Sequence, residues 1–433
     1  MSILGIFLGL ILLIILSYKS MSIIWVAPLA ALVTAIFGGL NLLDVYTNSY
    51  MSGFANYVKN WFPVFMLGAI YGKIMEASGA AKSIAFYLSK IIGYKRAIFA
   101  IVIICAILTY GGVSLFVVVF IMYPMGVALF REANITRKLL PGAIALGAFT
   151  FTLSAMPGTP QITNLLPIKY FGTSGKAAPT IGIIASIIML VCGLIWLEFR
   201  SKKYKNNGEV FIEPISNNSD TDDNKKLPSW FLSIIPSILI IITFNIFNLD
   251  IIIALVLGIL VSIILFFNKL TPFSNLTNVV NLGASGATLA MINTAAVVGF
   301  GSVVKEVPGF KILTEIMTGI GGNPLISESL AINVLAGVTG SSSGGLAIAL
   351  EALGSEFIKI SESTGIPLEV FHRIASVSAG GLDTLPQCGA VLTLLAVTQM
   401  THKDSYIDIF MCCTVFPILA TIVSIILGSF GVV

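Results

Sequence analysis

The sequence predicts an all-α polytopic membrane protein made of two inverted repeats, each with a helical hairpin and a broken transmembrane helix. Three observations carry that prediction. Of the 433 residues, 57% are hydrophobic and only 10% charged, and the mean hydropathy is +0.99, a balance typical of chains that cross a bilayer many times. Two Gly/Pro-interrupted polar stretches stand at corresponding places in the two halves. Basic residues, finally, are distributed unevenly over the loops.

The chain is organised around residues 376–395, SVSAGGLDTLPQCGAVLTLL. Apolar residues run up to Val377 and resume at Ala390, with Gly380, Gly381, Asp383, Thr384, Pro386, Gln387 and Gly389 between them. Glycine and proline free backbone amides and carbonyls, which in lipid need protein, water or ligand partners. An earlier stretch, Ser154-Ala-Met-Pro-Gly-Thr-Pro-Gln161, repeats the Ser-Ala, Thr, Pro and Gln at an offset of 224 to 226 residues. Paired broken helices of this kind point to the binding site of a secondary transporter.

Taken in order, the first half (1–199) offers spans at 3–16, 22–40 and 61–78, a hairpin over 97–130, a broken segment over 139–170 and a span at 178–199. Residues 3–16 lack a basic flank and a small-residue cleavage site, so they read as a retained span. The hairpin has Gly111-Gly112 at its middle, and both of its ends emerge on one side whether it crosses or re-enters. A polar linker, 200–228, contains Asn-Asn-Ser-Asp-Thr-Asp-Asp and reads as a flexible connection. The second half (229–433) repeats the plan with spans at 229–247, 249–268 and 275–304, an amphipathic connection at 305–323, a hairpin over 325–354, a broken segment over 369–400 and a last span at 409–431.

Charge sets the orientation. Loops 17–21, 79–96, 131–138 and 200–228 together carry 14 Lys and Arg, whereas 41–60 and 161–177 carry 3. The positive-inside rule then makes the linker cytoplasmic, with both termini outside and the protein in the cytoplasmic membrane.

The four polar breaks, 109–114, 154–164, 339–345 and 378–389, are expected to converge near the midplane. Half-helix N-termini there favour an anion, and the candidate substrate ligands are Gly112, Ser114, Thr159, Gln161, Thr163, Asn164, Ser341, Ser342, Ser343, Gly344, Thr384 and Gln387. Small polar residues also serve close helix packing, so each has a purely structural alternative. Asp383 is the one carboxylate inside a break: it can carry a coupling proton, coordinate a cation or cap the following half-helix. Glu351, on the second hairpin, is a further proton-coupling candidate or a shallow, solvated residue. Lys73 and Glu76 read as a pair near a helix end, Lys169 as an outer anchor, and His372-Arg373 and His402-Lys403 as interfacial residues. No Lys or Arg lies within the four breaks, so an anion there depends on dipoles and neutral donors.

Other classes fit less well. The basic residues sit in loops and form no nucleic-acid face, and the five cysteines lack metal spacing. A serine–histidine hydrolase needs a deep histidine, and both histidines fall near segment ends. Gly380-Gly-Leu-Asp383 departs from the Gly-x-Gly-Asp of intramembrane aspartyl proteases, and no second membrane aspartate stands out. The reading is therefore a transporter, with no enzyme activity and no cofactor.

Ser341-Ser-Ser-Gly-Gly-Leu-Ala-Ile-Ala-Leu-Glu351-Ala-Leu-Gly354, His372-Arg-Ile-Ala375, Gly380-Gly-Leu-Asp-Thr-Leu-Pro386 and Thr401-His-Lys-Asp-Ser-Tyr406 resemble the gluconate permease (GntP-type) family of the ion transporter superfamily. The resemblance is strongest over 335–410. It implies proton symport of small hydroxy-carboxylates such as gluconate or 3-hydroxybutyrate, two re-entrant hairpins, and a homodimer working by an elevator movement. One departure bears on coupling: after Leu385-Pro386 the family often has histidine, whereas this chain has Gln387-Cys388. That shifts the proton to Asp383 or Glu351, or leaves a sodium-coupled carboxylate transporter as the alternative.

Overall fold

The structure is a computed structural model that describes residues 2–19, 21–214, 227–310, 312, 322–386 and 388–433. Among these, all regular structure is helical. The first half contains α1 (Ser2–Tyr18), α2 (Ile23–Gly38), α3 (Met51–Ala77), α4 (Ala80–Ile92), α5 (Ala97–Tyr110), α6 (Leu115–Ala133), α7 (Leu140–Ala148), α8 (Phe151–Ser154), α9 (Ile162–Phe171) and α10 (Pro179–Asn206). The second contains α11 (Trp230–Asn245), α12 (Ile251–Leu270), α13 (Phe273–Glu306), α14 (Pro324–Thr339), α15 (Ser342–Thr364), α16 (Leu368–Ala379), α17 (Gly389–Thr398), α18 (His402–Phe410) and α19 (Phe416–Ser429). Each half thus ends on a helical hairpin, a broken helix and a terminal span.

The outer surface is that of a membrane protein. On α10, Ile183, Ile187, Val191, Ile195 and Phe199 form a stripe at helical spacing, each at least 45% exposed. Ile181, Ala185, Met189 and Leu197 on the opposite face are fully buried. Helix α12 repeats this with Ile253, Val256, Leu260, Ile264 and Phe267 outward. Apolar stripes of this length are not left to water; they suit hydrocarbon. Among the described residues, five helical runs (Leu115–Ala133, Pro179–Asn206, Ile251–Leu270, Phe273–Glu306 and His402–Ser429) are long and apolar enough to cross a membrane.

Two hydrophobic cores form. The smaller joins α1 and α2 to the C-terminal part of α13 through Ile6, Leu13, Val26, Ala30, Phe300 and Val303. The larger surrounds the hairpins and broken helices. Both hairpins turn where the glycines stand: Gly112 and Gly340 have φ of +88° and +58°, a region side chains rarely adopt.

Three boundaries differ from expectation. Helix α3 begins at Met51, ten residues before the expected span, because Tyr57 and Trp61 bury their rings although Asn56, Lys59 and Asn60 lower the local hydropathy. Residues 80–92, expected as loop, form the amphipathic α4, and the run Ala80–Ile92 bends by 97° into Tyr94–Tyr110. Helix α10 continues to Asn206, into the polar segment. The residues after it are strapped down: Lys138 pairs with Glu209 at 2.8 Å, Arg131 with Glu213 at 2.7 Å, and Arg137 Nε donates to the Ile212 carbonyl at 2.7 Å. Ser83 reaches the Pro228 carbonyl at 2.6 Å. Loops 79–96, 131–138 and the ends of the linker therefore gather at one end of the bundle. The acidic stretch at 217–223 and most of the 305–323 connection lie outside the described residues.

Hairpin 2 depends on one close approach. A Cβ on Gly345 of α15 would lie 2.1 Å from the backbone nitrogen of Ala336 on α14, so any side chain there separates the arms. Gly345→Ala is expected to destabilise the protein by about 1–3 kcal/mol, read as a lowered unfolding midpoint in detergent. Gly68→Ala, where a Cβ meets nothing within 4 Å, is the control and leaves the midpoint unchanged or slightly raised.

Candidate functional site

The first break runs from Ala148 to Ile162, where Pro157, Gly158 and Pro160 prevent a continuous helix. Its freed backbone groups are met one by one. Thr159 Oγ1 donates to the Thr152 carbonyl at 2.8 Å, and Thr163 Oγ1 donates to the Leu153 carbonyl. Asn164 Nδ2 donates to Thr159 and Gly175 at 2.9 and 3.0 Å, and Asn245 Nδ2 to Gly158 at 2.9 Å. Hairpin 1 joins here: Gln161 Nε2 donates to the Thr109 carbonyl at 2.7 Å and Tyr110 to the Pro157 carbonyl at 3.0 Å.

The central fastener was not expected. His372 and Arg373, read from sequence as interfacial, are both fully buried. Arg373 donates to the carbonyls of Ala177 (2.7 Å), Ala155 (3.2 Å) and Gly175 (3.4 Å) and to Asn164 Oδ1 (3.1 Å). His372 meets Thr173 Oγ1 at 2.6 Å and Asn164 Oδ1 at 3.2 Å. The expectation that no cation reaches the breaks is thereby corrected. Arg373 enters from the other half of the chain and no carboxylate pairs with it among the described residues. The linear position of the two residues, five and six places into α16, conceals that this helix is buried on every side from Val370 to Ala379.

The second break is held differently. Thr384 Oγ1 meets the Cys413 carbonyl and Thr414 Oγ1, each at 3.2 Å, and Tyr406 donates to the Thr384 carbonyl at 3.2 Å. His402 Nε2 lies 3.0 Å from the Pro386 carbonyl. Asp383 is 5% exposed. Its carboxyl faces Ser342 at the tip of hairpin 2, while Oδ1 finds no partner. Gly381 abuts Asn333 and Gly340 abuts Cys388, so hairpin 2 lies along the break. The two breaks touch where Gly380 packs on Ser154. A continuous chain of contacts thus links hairpin 1, break 1, break 2 and hairpin 2.

The candidate ligands divide by burial. Gly112, Ser114, Gln161, Ser341, Ser342 and Ser343 are half-buried, whereas Thr159, Thr163, Asn164, Gly344 and Thr384 are buried. Ser341 caps α15 by accepting from the Gly344 amide at 3.2 Å. Gln387 lies outside the described residues. Glu351 lies about 14 Å along α15 from the tip, where it accepts from Tyr170 at 3.0 Å and meets Lys305 at 3.6 Å. It lines a separate cavity of about 270 Å³ with Ser49, Ser302, Lys305 and Glu306. Lys73 and Glu76 pair at 2.8 Å. One residue the sequence reading passed over is Glu328 on α14, fully buried with neither carboxyl oxygen bonded.

Lipid-facing helices around two broken segments and two hairpins define a polytopic membrane transporter. The chain belongs to the GntP family of permeases, whose family model matches residues 1–248. It is 39% identical over 95% of both chains to YxjC of Bacillus subtilis, described as an uncharacterized transporter. It is also 28% identical, over 54% of this chain and 52% of the other, to the high-affinity gluconate transporter of Escherichia coli. Two solved transporters share the fold. YdaH of Alcanivorax borkumensis has a TM-score of 0.58 at 12% identity, covering 90% of this chain and 89% of its own. MtrF of Neisseria gonorrhoeae has a TM-score of 0.52 at 15% identity, covering 90% and 84%.

Arg373→Met takes a donor from four acceptors in a low-dielectric interior, Gly175 and Asn164 keeping others, and is expected to destabilise the bundle by at least about 3 kcal/mol. Arg373→Lys, with three donors on a flexible stem, is expected to fall between Met and wild type. Unfolding midpoints of the three proteins in one detergent check the order.

Proposed function

We propose that the protein is a proton-coupled symporter that brings a small hydroxy-monocarboxylate, of which gluconate and 3-hydroxybutyrate are representatives, into the cell across the cytoplasmic membrane. The observation that carries this reading is Asp383: a buried carboxyl at the junction of hairpin 2 and the second break, with one oxygen unpartnered and no cation paired to it among the described residues. The gluconate transporter among the relatives supports the substrate class.

In this reading the substrate docks against the half-buried set Gly112, Ser114, Gln161, Ser341, Ser342 and Ser343 at the hairpin tips and the first break. The N-termini of α9, α15 and α17 offer free amides and positive dipole ends to the carboxylate. Hydroxyl and amide side chains meet the sugar-acid hydroxyls. Arg373, behind break 1, adds an uncompensated positive charge. Thr159, Thr163, Asn164 and Thr384 hold the breaks in shape. Moving an ionised carboxylate through the barrier costs several kcal/mol; a proton on Asp383 removes that charge while the anion is carried. The two halves act as inverted repeats, the hairpins and broken segments form the moving part of an elevator in a homodimer against a scaffold of spans such as 22–40 and 249–268, and the linker is cytoplasmic with both termini outside.

The test is uptake of labelled gluconate and 3-hydroxybutyrate by the purified chain in liposomes with an imposed pH gradient in sodium-free buffer. Wild-type uptake is expected to rise as the outer pH falls, and Asp383→Asn is expected to drop to background while still binding substrate. Uptake that demands sodium and ignores the gradient would turn the reading to sodium coupling.

A further inference from the structure

Buried polar side-chain atoms without a protein partner are not scattered evenly through the molecule. Glu328 Oε1 and Oε2, Asn333 Oδ1, Ser378 Oγ and Asp383 Oδ1 make up five of the ten found among the described residues. All five belong to α14, the first arm of hairpin 2, or to α16 and the break that follows it. These elements pack side by side: Asn333 faces Gly381, and Gly337, one turn further on, faces Leu382. Ser378 stands one turn before Gly381 on α16. The orphaned atoms of Asn333, Ser378 and Asp383 therefore line a seam that ends at Asp383, and Glu328 lies on the same helix five residues before Asn333.

Glu328 occupies the other end. It lies one turn into α14, about 16 Å along the helix from the hairpin tip. Leu325 meets Val370 and Ile181 around Gly428, which places this end of the hairpin level with the start of α10. In the orientation proposed above that is the outer side. Nothing in the packing calls for a carboxyl here, since an apolar residue of similar volume would fill the site without the desolvation cost. Among the described residues, no charge answers it either. Helix α14 packs on α1, α15, α16 and α19, and α1 and α19 carry no acidic or basic residue. On α15, Glu351 is held by Tyr170 and Lys305, Lys359 pairs with Glu356, and Glu362 is exposed. On α16, His372 and Arg373 are bound to the first break, and Glu369 is exposed. Lys305 and Glu306 of the neighbouring α13 are taken up by Glu351 and Ser49.

We propose that this seam is the route by which the coupling proton reaches Asp383, with Glu328 as the relay carboxyl at its outer end and Asn333 and Ser378 as the polar groups along it. The inference rests on the proton-symport reading and adds the path to it. The proton is taken on one Glu328 oxygen from the outer side and passed on, so that Glu328 returns to its starting state while Asp383 gains the O–H. Asn333 lies about 8 Å further along α14 and roughly 140° around it, so the proton passes between them over water molecules held by such groups. Glu328 touches no substrate in this scheme; its role is to supply the proton.

Exchange separates supply from binding. Gluconate/gluconate exchange across the liposome returns the loaded carrier without discharging Asp383, whereas gradient-driven uptake needs a fresh proton every cycle. Glu328→Gln, nearly isosteric, is expected to slow gradient-driven uptake of labelled gluconate by at least about tenfold while exchange stays near the wild-type rate. Glu328→Asp is expected to recover part of the loss. Asn333→Ala and Ser378→Ala are the second route, with the same split in milder form, should the Glu328 variants fail to fold. Gradient-driven uptake by Glu328→Gln at the wild-type rate would overturn the relay, as would loss of uptake and exchange together in a folded variant. A wild type that ignores the pH gradient would instead defeat the symport reading itself.

Discussion

Everything in this structure depends on how backbone polar groups, freed by glycine and proline inside an apolar bundle, find partners. In hydrocarbon such a group costs several kcal/mol unless it is bonded, so a broken helix survives only where the rest of the protein supplies donors and acceptors. The first break is supplied generously. Arg373 crosses from the second half and spends its guanidinium on Ala155, Gly175, Ala177 and Asn164, while Thr159, Thr163, Asn164 and Asn245 answer the remaining carbonyls. One side chain thereby ties α16 to the break between α8 and α9, and the two halves of the chain become one unit.

The second break contrasts with the first. Thr384, Tyr406 and His402 hold its backbone, but Asp383, Ser378 and the facing Asn333 each keep an atom without a partner among the described residues. Satisfied polar networks make rigid parts, and incompletely satisfied ones mark where something must bind or change. The two breaks are therefore held unequally: the first is closely bonded, and the second keeps polar atoms open among the described residues.

Much of this was legible in the sequence, and the exceptions have physical causes. Hairpin tips at Gly112 and Gly340 and both breaks follow from Gly and Pro interrupting apolar runs, a local signal that survives folding. Helix α4 was missed because an amphipathic 13-residue helix with lysines on one face resembles a loop when only hydropathy is followed. Distance from the helix end misplaces His372 and Arg373, because α16 is buried on every side from Val370 to Ala379. The partners of Arg373 lie some 200 residues away, beyond the reach of any local pattern. Glu328 escaped because Ser327 and Ser329 beside it make the start of α14 look solvated.

The buried charges share a logic. Among the described residues, Arg373 is a buried cation without an anion, and Asp383 and Glu328 are buried carboxyls without cations. Each would gain by pairing, yet the fold keeps them on separate partners, with Arg373 held by dipoles at break 1 and the carboxyls along the seam beside break 2. A buried ion pair formed between them would neutralise both sites and be strongly resistant to breaking. Under the proposed symport, holding the cation on carbonyl dipoles would leave its field for an arriving anion and the carboxyls free to exchange a proton. That separation is what the proposal requires of the interior, and a merely stable bundle would have no use for it.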